Sequence, residues 1–152
     1  MKKTLLSFLL LSSAAVASAQ LQLGTAEYKG YSKYIQAVDE YVPAPGQFVN
    51  TLPAYAEGDD AAAMAKKCTE ALANNKNGMI TLGAYGGYVT FHFDHSVANV
   101  QGQKDLYITG NAIPNGAEPG IVMVSKDVNG NGLPDDPWYE LSGSADVDDP
   151  DN

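Results

Sequence analysis

The sequence runs to 152 residues and sets nine basic against eighteen acidic side chains, a formal net charge of −9. An acidic balance of this size argues against nucleic acid and anionic membranes as partners. The single cysteine, Cys68, excludes an internal disulfide framework, so a packed core or a metal must hold the fold.

At the start of the chain, Lys2 and Lys3 precede the apolar run "TLLSFLLLSSAAVASA", which closes on Ala17-Ser18-Ala19. A basic start, a short apolar core and a small-residue cleavage pattern predict a secretory signal peptide over 1–19. The run is broken by serines and is short for a bilayer span. No cysteine follows the cleavage site to carry a lipid anchor. The expected product is an exported chain from Gln20 with no membrane span of its own once the leader is gone. It would work at the cell surface, in the periplasm or outside the cell. Removing the two leader lysines leaves seven bases against eighteen acids, a net charge of −11. About 130 residues suit a single domain with one core.

Residues 20–57 hold Tyr28, Tyr31, Tyr34, Tyr41 and Tyr55 and then "YVPAPGQFVNTLP", whose prolines and glycine forbid a long helix. Short extended segments joined by turns are expected there. "GDDAAAMAKKCTEALANNKNG" is the one clear helix signal. Asp59 or Asp60 can cap it, alanines favour it, and Met64, Cys68 and Leu72 recur at i, i+4, i+8. The helix should run from about Asp60 to Ala73 and stop before Gly78, with Cys68 buried as a small apolar residue.

From Met79 the period changes. In "MITLGAYGGYVTFHFDH" two extended runs flank a glycine cluster, and Val89, Phe91 and Phe93 alternate with Tyr88, Thr90, His92 and Asp94. "KDLYITGNA" and "GIVMVSKD" predict two more strands, separated by the turn-rich "IPNGAEPG". The acidic, proline-containing tail over 145–152 is expected to be disordered. The pattern predicts a mainly β domain over 20–144, an antiparallel β-sandwich or jelly roll with one helical insertion. The strands counted are fewer than a sandwich usually needs, so the expected domain is an incomplete copy of a longer one.

The stretch with the most chemistry is "DVNGNGLPDDPWYEL", residues 127–141. With Asp127 as position 1, Asn129 falls at 3, Asn131 at 5, Gly132 at 6, Leu133 at 7 and Asp135 at 9, the D-x-[DN]-x-[DN]-G spacing of calcium loops. Asp127, Asn129, Asn131 and Asp135 would supply side-chain oxygens and Leu133 its carbonyl, with Asp136 as a further donor. Trp138 stands where a helix-loop-helix hand has its bidentate glutamate, and Pro134 and Pro137 obstruct the flanking helix, so an EF-hand or dockerin is excluded. A short extracellular calcium loop of modest affinity, structural in role, is one reading. A metal-free turn built from the same turn-forming residues is the other.

Three further stretches invite weaker readings. "HFDH" offers His92, Asp94 and His95 as metal ligands or an acid/base pair, against a polar strand face running into a turn. "GAYGGY" lacks a phosphate-binding lysine and leads into a strand, so a bend or bulge is expected rather than a nucleotide cradle. The tyrosines with Trp138 suit either core packing or a stacking platform for flat ligands such as sugar rings.

The stretches "YVPAPGQFVN", "ITLGAYGGYVTFHFDH", "LYITGNA" and "EPGIVMVSKDVNGNGLPDDPWYEL" together resemble exported cell-surface proteins of Bacteroidetes-type bacteria over most of Tyr41–Leu141. The resemblance implies a β-sandwich-like surface domain, often beside outer-membrane uptake machinery for glycans or corrinoids, and supplies no catalytic residues. Members of that group continue with further strands after "WYELSGS", which again implies a truncated copy. The expected function is a non-enzymatic surface binding module that captures a glycan or other small nutrient. Calcium would order its edge, and Trp138 and Tyr139 would contact the ligand. The alternatives are a metal-dependent hydrolase fragment using His92, Asp94 and His95, and a purely structural or adhesion domain.

Overall fold

A computed structural model describes residues 30–111, 116 and 118–142. The leader over 1–19, the stretch 20–29 and the tail over 145–152 lie outside the described residues. The chain divides into two compact units, Met1–Asp105 and Leu106–Asn152.

In the first unit, strand β1 (Ala37–Val42) pairs antiparallel with β2 (Tyr88–His92), and helix α1 (Ala61–Leu72) packs against them. The helix follows the sequence closely. The Asp60 side chain accepts the Ala63 N–H at 2.8 Å, and Met64, Ala65 and Cys68 turn inward. Beside the cap, Asp59 accepts the Ala56 N–H at 2.7 Å and pairs with Lys67. Asp60→Ala should cost about 1 kcal/mol by freeing an amide at the helix start, read as a lower urea midpoint at unchanged slope.

The ladder carries a bulge. Val38 faces Phe91 while Glu40 faces Thr90, so Asp39 is the extra residue. Without it, Val38 and Tyr41 would point to opposite sides of the sheet, because side chains alternate along a strand. With it, both face α1 and join Met64, Ala65 and Cys68 as the buried core, with Leu72, Ile80, Val89 and Phe91 packed around. Thr69 links the layers: its hydroxyl accepts the Val38 N–H at 2.9 Å and donates to the Ala65 carbonyl at 3.0 Å.

Below the ladder two turns lock backbone to backbone. The Ala44 N–H donates to the Leu82 carbonyl at 2.9 Å and the Ala84 N–H to the Pro45 carbonyl at 3.2 Å. The approach needs glycine: a Cβ on Gly83 would stand 1.9 Å from the Ala44 carbonyl oxygen, and one on Gly87 1.8 Å from that of Leu82. "GAYGGY" is thus a tight excursion that throws Tyr85 into solvent.

In the second unit β3 (Met123–Ser125) pairs antiparallel with β4 (Trp138–Glu140). Val124 faces Tyr139, and the Leu141 N–H donates to the Val122 carbonyl at 2.9 Å, which continues the register by one pair. Directly opposed residues share a face. One face of this ladder is therefore wholly apolar, made of Val122, Val124, Tyr139 and Leu141.

These elements overturn the sandwich or jelly roll expected from sequence. The described residues form only two two-stranded sheets, one in each unit. In the first unit the helix covers the apolar side of the ladder, where a sandwich would place a second sheet. Pro43 and Pro45 follow β1 directly and glycines precede β2, which keeps both strands short. "KDLYITGNA" forms no strand over its described residues 104–111, and Tyr107 there is 91% exposed. No helix among the described residues is long and apolar enough to cross a membrane.

Candidate functional site

The stretch 126–137 is the connection between β3 and β4, and its acids and amides organise it from within. Asp127 Oδ1 accepts the N–H groups of Gly130 at 2.7 Å and Asn131 at 3.1 Å, and its Oδ2 accepts that of Gly132 at 3.0 Å. Asn129 Oδ1 accepts the Asn131 N–H, and Asn131 Oδ1 accepts the Leu133 N–H, at 2.9 and 2.8 Å. Gly130 and Gly132 both take φ of +72°, the left-handed turns that wind the chain back on itself. Farther along, Asp136 Oδ2 accepts the Val128 N–H at 2.9 Å and ties the end of the loop to its start.

Three of the predicted oxygen donors converge. The Asn129 and Asn131 amides donate to opposite oxygens of Asp135, at 3.2 and 3.0 Å. As placed, both asparagines face Asp135 with N–H; a half-turn of each amide would present oxygen there and give up the bonds their oxygens accept from the Asn131 and Leu133 N–H groups. With Asp127, Asp136 and the Leu133 carbonyl, the donors are all hard oxygens. Such a set suits calcium, which takes about six to eight of them, and offers nothing to softer transition metals. The three carboxylates do not themselves draw together: among the described residues, no three His, Cys, Asp or Glu side chains form a group that could hold a metal ion. A bound calcium would rely on the asparagine and backbone carbonyls.

The loop also holds the aromatic edge. Trp138 Nε1 donates to the Pro134 carbonyl at 3.3 Å, so the indole is fixed to the loop it follows. Tyr139, next in β4, is 66% exposed on the apolar face of the ladder. Both aromatic residues singled out in the sequence therefore lie on one short strand, on opposite sides of it, beside the loop.

The "HFDH" residues are drawn into two pairs. His92 Nδ1 lies 2.7 Å from Asp39 Oδ1, across the ladder at the bulge. His95 Nδ1 lies 2.7 Å from Asp94 Oδ1, and the Asp94 carboxylate also accepts the Ser32 N–H at 3.2 and 3.0 Å. The bond to His95 chiefly holds the Asp94 carboxyl below the usual aspartate range. Tyr31 lies over the His95 ring at 5.0 Å between centroids. These contacts tie residues 31–34 to the end of β2. Sequence reading missed Asp39, which stands 53 residues from His92 and gives no local signal.

Cys68 is fully buried, and burial pushes its thiol up to about 11. A thiol so placed is protonated at neutral pH and is no nucleophile. Tyr41 is likewise core: its hydroxyl donates to the Thr81 carbonyl at 2.7 Å, and burial, with Cys68 adding to it, raises its pKa. On the outer face, the bond between Tyr88 and Glu40 raises that phenol too.

The fold and loop define a small mixed α/β unit and a second unit built on a loop-closed β-ladder. No protein-family model matches the chain, and no curated protein matches it significantly.

Proposed function

We propose that the protein is an exported cell-surface binding module, not an enzyme, and that it captures a glycan or other small nutrient ligand for outer-membrane uptake proteins. A calcium-stabilised loop formed by Asp127, Asn129, Asn131, Leu133, Asp135 and Asp136 holds the ligand-contacting edge at Trp138 and Tyr139. The observation that carries this reading is the convergence of Asn129 and Asn131 on Asp135 in a loop whose Pro134 carbonyl also anchors the Trp138 indole. Exposed aromatic rings next to such a loop suit the faces of sugar rings. Against the hydrolase alternative, His92 and His95 are engaged in separate aspartate pairs, and Asp94 already serves the backbone of Ser32. The export and uptake parts rest on the leader and on the likeness of Tyr41–Leu141 to surface proteins.

Thermal melting of the leader-free chain tests the metal. Calcium should raise the transition and a chelator lower it, and a variant carrying Asp127→Ala with Asp135→Ala should respond to neither. A transition indifferent to calcium in the unmutated chain sinks the metal reading. Ligand capture is read by retention on immobilised neutral glycans and corrinoids. Trp138→Ala with Tyr139→Ala should abolish it, and His92→Ala with His95→Ala should leave it intact. Retention on none of these matrices would leave the structural or adhesion reading in its place.

A further inference from the structure

We infer that Asp127 guards Asn129 and Asn131 against self-deamidation: its carboxylate holds the N–H groups of Gly130 and Gly132, whose nitrogens are the ones that would attack those side chains. The inference needs no metal and is independent of the calcium reading above.

Asn129-Gly130 and Asn131-Gly132 are junctions at which an asparagine can lose its amide without a catalyst. The backbone nitrogen of the glycine gives up its proton and attacks the asparagine Cγ. A Cγ–N bond forms, the Cγ–Nδ2 bond breaks, and the amide leaves as ammonia, having gained that proton. Water then opens the five-membered imide at either carbonyl, to aspartate or to isoaspartate. Glycine, with no Cβ, hinders the attack least. The whole segment 126–135 is exposed, so burial does not keep water from it.

What opposes the reaction is bonding. The Gly130 N–H donates to Asp127 Oδ1 at 2.7 Å and the Gly132 N–H to Oδ2 at 3.0 Å. Removing either proton breaks a charge-assisted bond and sets a second negative charge against the carboxylate. Both target side chains are also fixed at each end. Their oxygens accept the Asn131 and Leu133 N–H groups, and their nitrogens donate to Asp135. The product would undo this arrangement. An aspartate at 129 or 131 has no N–H for Asp135 and places carboxylate against carboxylate. One carboxylate, Asp127, thus preserves the two amides that meet at another, Asp135.

The test ages the leader-free chain at mildly alkaline pH with a chelator, once folded and once in urea. Peptide mapping by mass spectrometry reads aspartate and isoaspartate at 129 and 131. Asn77 is the reference within the same chain, since its Gly78 N–H donates to the Ala71 carbonyl at 3.0 Å, away from the loop. Both loop sites should react more slowly in the folded chain by about tenfold or more, the order of effect of a charge-assisted bond. Asp127→Ala should return both towards the urea rate and leave Asn77 unmoved. Asp127→Asn, which keeps an acceptor oxygen without the charge, should give a smaller rise at both. Asp135→Ala leaves the bonds to the glycine N–H groups in place and should raise the rates least. Equal rates in the folded and urea-unfolded chain overturn the inference. An Asp135→Ala as fast as Asp127→Ala also overturns it, because order of the loop in general would then be the protection. Slower reaction in Asp127→Ala or Asp127→Asn would make Asp127 the base of the reaction and overturn it outright.

Discussion

Gly83→Ala is expected to lower the stability of the first unit by about 2–4 kcal/mol, the range of a substitution that combines backbone strain with a hard clash. Two separate costs meet at this position. The backbone there has φ of +78°, in the left-handed region where any Cβ crowds the following carbonyl, at about 1–2 kcal/mol. The added methyl would also stand 1.9 Å from the Ala44 carbonyl oxygen and 3.0 Å from Val49 Cγ1. Ala44 cannot simply retreat, because its N–H is bonded to Leu82 and it follows β1 after only Pro43. Gly86→Ala separates the two costs. Its φ is +95°, but a Cβ there meets nothing within 4 Å, so it should pay the strain alone. Urea unfolding of the two variants gives the difference, and a Gly83→Ala no worse than Gly86→Ala would falsify the backbone clasp.

The clasp also shows which part of the fold local sequence rules can reach. Glycines and prolines mark both turns plainly, and the reading of "GAYGGY" as a bend needs nothing more. The helix was equally legible, since its cap, its alanines and the spacing of Met64 and Cys68 are all local and agree. β1 falls among the short extended segments expected over 20–57, but nothing local singles it out as a strand, for a definite reason. Its bulge at Asp39 sets Val38 and Tyr41, three residues apart, on the same face, so the period-two pattern that announces a strand is broken. β2 kept its alternation, but alternation reports only that one side is covered and cannot say by what. Helix α1 covers it here, and the inference to a sandwich failed at that step. "KDLYITGNA" failed differently. Its β-branched and aromatic residues have high strand propensity, but a strand forms only where another strand pairs with it.

The candidate loop was legible in spacing and composition, because calcium-type loops are written within about a dozen residues. Its internal bonding was not. The same asparagines that count as ligands donate to Asp135, and the same Asp127 that opens the motif spends both oxygens on backbone amides. Sequence could equally not show that Trp138 is bonded to the loop, nor that alternation in "VMV" and "YEL" gathers apolar residues on one face of the ladder. Both depend on strand register.

Met64→Ala is expected to be the most damaging change in the helix, at about 2–5 kcal/mol, the range for removing a long buried apolar side chain. The core it would empty is small: its fully or nearly buried members are Val38, Tyr41, Met64, Ala65 and Cys68. Few neighbours are present to collapse into the space, and Tyr41 is held in place by its bond to the Thr81 carbonyl. A cavity between α1 and β1 therefore stays open, and the helix loses the contact that joins it to the sheet. Cys68 provides the readout without further mutation. It is fully buried and pushed up to about 11, so a thiol-selective reagent at neutral pH reaches it only when the helix opens from the strands. Labelling should be slow in the unmutated chain and rise in Met64→Ala in proportion to the stability lost, about tenfold for each 1.4 kcal/mol. Asp60→Ala, which frays only the start of the same helix, should raise labelling far less. Equal labelling in both variants would mean that Cys68 is exposed by fraying of α1, and not by its separation from β1.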